Sequence, residues 1–300
     1  MRPAANAAKF RRWRRARMVA ASTLTLTLMA SLVLAPSAFA NFLTLKSGGS
    51  PNADQISSLY KVVLYLAAIV CVIVEGALVY SVYKFRAKKG AVAAQIHGNT
   101  RLEIGWTLAA ALILVVLTVV TFVKLPSIIN PPNSDANGLV LSASVTQPSP
   151  PSGHKLVVCV TGRQYIWRYT YGSGCNNAAF TAKLPYTYEE MVVPANTTVV
   201  LDIQATDVIH SWWIPSLGGK VDAVPGYTTY TWFKAPHAGS LYHGQCAQLC
   251  GRGHAAMFAQ VKVVTPAQYK AWVSQQSKAI TAADAQVTQL RQALTQNGNL

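Results

Sequence analysis

Charged residues are scarce in this 300-residue chain, at 12%, and acids are scarcer still, with 10 Asp and Glu against 26 Lys and Arg. So few charges exclude a disordered chain and a coiled coil, both of which rely on charge to stay in water. A hydrophobic content of 51% and a mean hydropathy of +0.26 exclude an ordinary soluble enzyme too, because that much apolar surface must be kept from solvent. Membrane segments are therefore expected. The net charge of +16 has the look of nucleic-acid binding, but its distribution argues against it. Residues 1–40 carry seven cations and no acid, residues 41–125 eight against three, and residues 126–300 eleven against seven. Most of the basicity flanks apolar runs, where it sets topology, so no nucleic-acid partner is expected. Internal repeats are absent.

What is present begins with a leader. A basic head around Arg11, Arg12, Arg14, Arg15 and Arg17 precedes an apolar stretch from about Met18 to Ala35 and then Ala38-Phe39-Ala40. Small residues at the end of such a stretch suit signal peptidase, so residues 1–40 read as a cleaved signal peptide. The alternatives are an uncleaved anchor and an Arg-rich transit peptide; the continuous apolar core opposes the second. Two further runs, 62–83 and 104–123, are long enough at about 1.5 Å per residue to cross a hydrocarbon core of about 30 Å. The loop between them holds Lys84, Arg86, Lys88, Lys89 and Arg101 with no acid before Glu103, which places it in the cytoplasm and both outer ends, including Asn41, in the periplasm. Residues 41–125 thus form a transmembrane hairpin in the lipid bilayer. Glu75 lies inside its first helix, and a two-helix hairpin cannot bury that carboxyl alone, so a larger membrane partner is implied. Cys71 reads as a small apolar packer.

Pro126, Pro131, Pro132, Pro148, Pro150 and Pro151 among Asn, Ser and Gly mark residues 126–154 as a linker. From Lys155 to Thr265 short β-rich runs alternate with turn signals, at 155–161, 164–171, 197–203, 228–233 and 258–264, without helical periodicity. The expected fold is a membrane-anchored all-β chain, with a Greek-key sandwich or barrel after the hairpin. Residues 266–300 hold good helix formers with apolar Tyr269, Trp272, Val273, Ile280, Val287, Leu290 and Leu294, and read as one or two helices forming a C-terminal tail.

The chemistry concentrates in His243-Gly244-Gln245-Cys246-Ala247-Gln248-Leu249-Cys250-Gly251-Arg252-Gly253-His254-Ala255-Ala256-Met257, with Asp207-Val208-Ile209-His210-Ser211 upstream. Exported cysteines end as disulfides or metal thiolates, and two beside His and Met point to a soft metal, copper. Tetrahedral zinc and a Cys246–Cys250 disulfide are the alternatives. A mononuclear blue-copper site uses one Cys, whereas two bridging sulfurs with His210, His254, Met257 and one carbonyl supply four bonds to each of two coppers. Cys159 and Cys175, also exported, flank an aromatic strand and are expected to form a disulfide; two free thiols are the alternative.

The loop resembles the dinuclear copper loop, Cys-x-Glu-x-Cys-x3-His-x2-Met, of cytochrome c oxidase subunit 2. His-Gly-Asn-Thr-Arg-Leu-Glu-Ile-Gly-Trp-Thr at 97–107, Gly-Arg-Gln-Tyr-Ile-Trp-Arg-Tyr at 162–169, the segment at 207–211 and Gly-Lys-Val-Asp-Ala-Val-Pro-Gly at 219–226 follow in the family's order. The resemblance implies a cupredoxin-like Greek-key β-barrel over residues 155–265, set on the periplasmic face of a bacterial inner membrane. It further implies a mixed-valence copper A pair in a proton-translocating oxidoreductase. Electrons would come from cytochrome c or another periplasmic donor and go to the haem of catalytic subunit 1, where oxygen becomes water, with subunit 3 beside it. Ligands by resemblance are His210, Cys246, the Gln248 carbonyl, Cys250, His254 and Met257. Gln248 stands where the family has a Glu that also reaches magnesium; it lacks that charge, which leaves magnesium open. Glu103, three residues before Trp106, matches a glutamate at the mouth of a proton pathway, against the plainer reading of an anion at a helix start. Tyr165 replaces the Trp through which electrons enter, with Trp167 two residues on; buried core is the plainer reading for Trp167, Trp212 and Trp213. Few acids near the copper loop imply a neutral or acidic donor, an apolar interface, or an acidic periplasm. A quinol-oxidase subunit would lack these Cys and His residues. A membrane-tethered copper-binding or delivery protein would keep them but leave Glu103, Trp106 and residues 220–226 unexplained.

Overall fold

In a computed structural model the described residues are 44–86, 92, 95–133, 155–172, 175 and 184–296. The signal-peptide reading of residues 1–40 and most of the linker reading lie outside them. The chain divides after Leu45 into two units, and everything described below except Thr44 and Leu45 belongs to the second.

Two long helices come first, α1 (Pro51–Lys84) and α2 (Thr100–Ile129). Both extend beyond the apolar runs at 62–83 and 104–123, because hydropathy marks the lipid-facing span whereas caps mark the helix. Pro51 suits the first turn, where its missing N–H would have no partner anyway. At α2, Asn99 caps Leu102 through its side chain, and Glu103 reaches back to the Asn99 N–H at 3.4 Å. The linker expected from Pro126 therefore starts later: α2 runs through Pro126 to Ile129, and the Pro126 carbonyl accepts the Asn130 N–H at 2.9 Å. A proline near a helix end removes one N–H without unravelling the last turn. The apolar stretches of both helices are unburied within the chain, as lipid-facing helices require.

The β-rich domain that follows is a sandwich. A five-stranded sheet runs in the order β3 (Tyr186–Tyr188), β2 (Ile166–Tyr171), β1 (Leu156–Arg163), β5 (Thr198–Ala205), β8 (Thr229–Lys234). A three-stranded sheet runs β4 (Glu190–Pro194), β10 (Phe258–Val264), β9 (Leu241–Gln245). The short pair β6 (His210–Trp212) and β7 (Val221–Ala223) stands apart. β1 pairs with β5 and β4 with β10 in parallel, which brings strands distant in sequence together. Period-two alternation fills the core: Ala259, Val261 and Val263 point inward from β10, and Leu156, Val158 and Val160 from β1. Val157 and Cys159 take the other face of β1, where Cys159 is joined to Cys175 by a disulfide.

Short polar contacts seat the domain on the helix ends. Asn52 donates to the Trp232 carbonyl at 2.7 Å, Ser50 Oγ accepts the Lys234 N–H at 3.0 Å, and the Trp232 indole donates to the Ile128 carbonyl at 2.9 Å. The C-terminal segment is one helix, α3 (Pro266–Gln296), started by a reciprocal Thr265–Gln268 capping box. It is clasped where Trp272 meets Tyr171 edge-on at 5.0 Å and Gln276 donates to the Tyr186 carbonyl at 2.8 Å.

A disulfide joining residues 16 apart in sequence contributes about 3 kcal/mol in the chain-entropy account. Cys159→Ser with Cys175→Ser should therefore lower the stability of the domain by about that amount in denaturant unfolding, and reductant should do the same to the parent but not to the variant.

Candidate metal centre

His210 opens β6, held opposite Ala223 of β7. The other candidate ligands sit on the loop that leaves β9 after Gln245 and enters β10 at Phe258. Backbone hydrogen bonds pin this loop on both flanks. Cys246 N–H donates to the Met257 carbonyl at 2.9 Å and closes the loop on itself; Ala247 N–H donates to Ser211 at 2.9 Å and Gln245 N–H to Trp213 at 3.1 Å, tying it to β6 and the residue after it. Gly244 permits that approach, since a Cβ there would meet the Trp213 carbonyl oxygen. A short turn, His254–Ala256, brings His254 back over the cysteines.

Six potential donors converge. Cys246 Sγ lies 3.9 Å from Cys250 Sγ, 4.0 Å from His210 Nδ1 and 3.2 Å from the Gln248 carbonyl oxygen. Cys250 Sγ lies 3.7 Å from His254 Nδ1 and 4.0 Å from Met257 Sδ. A sulfur–sulfur distance of 3.9 Å is far outside bonding range, so Cys246 and Cys250 are two thiols, not a disulfide. Burial and the neighbouring Cys246 push the Cys250 thiol up to about 11, so the pocket without a cation holds this sulfur neutral. Two thiols, a thioether, two imidazoles and a carbonyl form a set suited to a soft, thiophilic cation.

Asp207 orients the first imidazole. Its Oδ1 accepts from His210 Nε2 at 2.9 Å, which puts the ring proton on Nε2 and leaves Nδ1 facing Cys246. Partial burial works against the Asp207 charge, yet N–H donation from Gln164, His210 and Val208 holds its carboxyl below the usual range.

Residues 156–264 match the family model described as cytochrome c oxidase subunit II, periplasmic domain, and residues 38–123 the one described as its transmembrane domain. The chain belongs to the cytochrome c oxidase subunit 2 family. The subunit 2 of Alkalihalophilus pseudofirmus is 33% identical over 226 residues, covering 74% of this chain, which spans 59% of that protein's length. That of Cereibacter sphaeroides is 33% identical over 255 residues, covering 75% of this chain and 77% of that protein. Among solved structures, the periplasmic domain of subunit II of the Bradyrhizobium japonicum oxidase is 32% identical and covers 42% of this chain and 95% of that one, with a TM-score of 0.37. The family places the chain in an oxidoreductase complex, anchored in a membrane by two helices with a periplasmic domain, and it is a copper-binding family.

Tyr165 is half-exposed at the edge of the loop, and its ring lies against Gly251 and Gly253, where any Cβ would collide with it. Trp167 does not share that surface. It is 0% exposed and turned edge-on to the His210 ring at 5.9 Å, because the strand's alternation sends it into the core; a surface contact with a donor is excluded for it. Trp212 is buried as well. Glu103 is not part of this cluster: it caps the end of α2 opposite to the one that meets Trp232. Gln248 lies exposed on the loop, with only its carbonyl turned toward the sulfurs.

Two supporting residues escaped the sequence reading. The Asp-x-x-His spacing of Asp207 and His210 is a signal that would have found the first. Gln164, whose amide donates to the Cys250 carbonyl at 2.7 Å, carries no local signal, since its partner is distant in sequence. Gly244→Ala should lower the melting temperature of the protein by several degrees and weaken metal retention, because the obstruction is backbone and cannot swing away.

Proposed function

We propose that the chain receives electrons from a periplasmic donor at a copper pair held by His210, Cys246, Cys250, His254, Met257 and the Gln248 carbonyl, and passes them to the haem of a catalytic partner that reduces oxygen. The observation that carries this reading is the convergence of two imidazoles, a thioether and one carbonyl on two unbonded cysteine sulfurs. Two thiolates can bridge two ions, and the remaining four groups then complete each coordination sphere; a single tetrahedral zinc would leave two donors over. A bound copper pair supplies reversible one-electron storage.

The chain's own residues supply the rest. Burial of His210, Cys246, Cys250 and Met257 keeps water from the donors, and the pinned loop holds them in place, so little rearrangement accompanies a change of charge. Tyr165 offers a flat surface to a donor in place of the family's Trp. Trp167 packs behind it against His210 and stiffens the ligand rather than meeting the donor. Catalytic subunit 1 and subunit 3 are the partners this reading requires, and the unburied faces of α1 and α2 with Glu75 and Cys71 are available to them.

The full-length chain purified in detergent and loaded with copper should hold two coppers that share one unpaired electron in paramagnetic resonance. One copper, or zinc in its place, would overturn the reading in favour of a tethered metal-binding protein.

Loading must also displace the Cys250 proton. With that thiol neutral up to about pH 11, apparent copper affinity should rise at least about tenfold per pH unit through the neutral range and flatten near 11. A chelator competition series gives the slope, and a pH-independent affinity would show that Cys250 is not a ligand.

A further inference from the structure

We propose that the outer half of α3 pairs antiparallel with the same segment of a second copy of this chain. Along α3 a seam recurs in alternating steps of four and three residues. Its first members, Tyr269, Val273, Gln276 and Ile280, lie against the sandwich: Tyr269 and Ile280 are buried, and Gln276 donates to the Tyr186 carbonyl. Its next members, Ala283, Val287, Leu290 and Leu294, continue the same stripe beyond the last buried residue. Every residue from 281 to 296 is exposed, with Val287 at 48%, Leu290 at 61% and Leu294 at 37%. A helical segment this short, without tertiary contacts, is marginal in water, and an apolar seam along it calls for a cover.

Charge and size select the cover. Asp284 and Arg291 are the only charged residues between 281 and 296, and neither makes an ion pair among the described residues. Each directly follows a seam residue, Ala283 or Leu290, so both lie on one edge of the stripe. In a parallel pair that edge would face the other edge of its neighbour, where Gln286 stands, and the two charges would find no counterpart. In an antiparallel pair the edge faces itself, and Asp284 of each copy meets Arg291 of the other. The same register sets Val287 against Leu290 and Ala283 against Leu294, a smaller side chain facing a larger one each time. A contact of this length is weak between free chains. Two copies anchored in one bilayer by α1 and α2, with the twofold axis along the membrane normal, meet at a raised effective concentration.

The full-length chain in detergent should sediment as a reversible mixture of monomer and dimer, with more dimer at higher protein concentration. Asp284→Arg and Arg291→Asp should each raise the dimer dissociation constant about tenfold at low ionic strength, because each turns two attractive contacts into repulsive ones. Asp284→Arg combined with Arg291→Asp should restore the parent value. Leu290→Glu should leave only monomer while the melting temperature of the sandwich and its metal content stay at parent values, which separates a lost contact from a lost fold. A chain that is monomeric at every concentration overturns the proposal. A dimer that survives Leu290→Glu overturns it too and puts the contact elsewhere. Single reversals without effect, or a double variant no better than the singles, overturn the antiparallel pairing. No metal ligand is altered in any of these variants, so each outcome leaves the copper reading untouched.

Discussion

Two thiols must lie about a sulfur's width apart, inside an apolar environment, without bonding to each other, and the rest of the domain is arranged around that constraint. Cys246 and Cys250 are four residues apart on one loop, a spacing that would let a free loop close into a disulfide. They stay at 3.9 Å because their loop is tied to Met257 on one side and to Ser211 and Trp213 on the other, while Gln164 holds the Cys250 carbonyl from a third direction. Each tie comes from a different strand or connection, so the sulfur separation is a property of the assembled sandwich.

The same rigidity organises the path from surface to centre. Tyr165 rests on two glycines of the loop, one of them, Gly251, at a φ of 129° that side chains rarely adopt. Trp167, two residues on, faces the opposite way and packs on His210. One hairpin therefore provides an outer aromatic for contact and an inner one for support, because Tyr165 lies in the turn before β2 whereas Trp167 lies on the core-facing side of the strand. Asp207 joins the same network, orienting His210 while binding the Gln164 backbone, so the first imidazole and the aromatic hairpin cannot move independently.

Beneath this, the domain is fastened to its anchor by backbone-directed contacts at Ser50, Asn52, Ile128 and Trp232. Apolar packing alone would permit sliding at a membrane surface; directional hydrogen bonds to both helix ends set the height and the tilt of the sandwich. The lipid-facing helices themselves carry almost no internal burial, which is the physical reason that their extent was read from hydropathy while their true ends at Pro51 and Ile129 were not.

Local patterns sufficed for whatever depends on neighbours along the chain. The apolar runs, the alternation of β10, and the Cys-x3-Cys-x3-His-x2-Met spacing are all short-range, and they specified the anchor, a β domain and a soft-metal donor set. The short strands β3, β4, β6, β7 and β9 were not visible, since three to five residues carry too little periodicity and their pairing partners are remote. Nor was the role of Gln164, whose partner lies 86 positions away. The burial of Trp167 against His210 comes from the assembled sandwich, since spacing alone does not tell which face of a strand is covered. Sequence determined which atoms are offered to a metal; tertiary structure alone decided that His210, on its own strand, reaches sulfurs on another loop, because strand pairing across long separations, not local propensity, closes that distance.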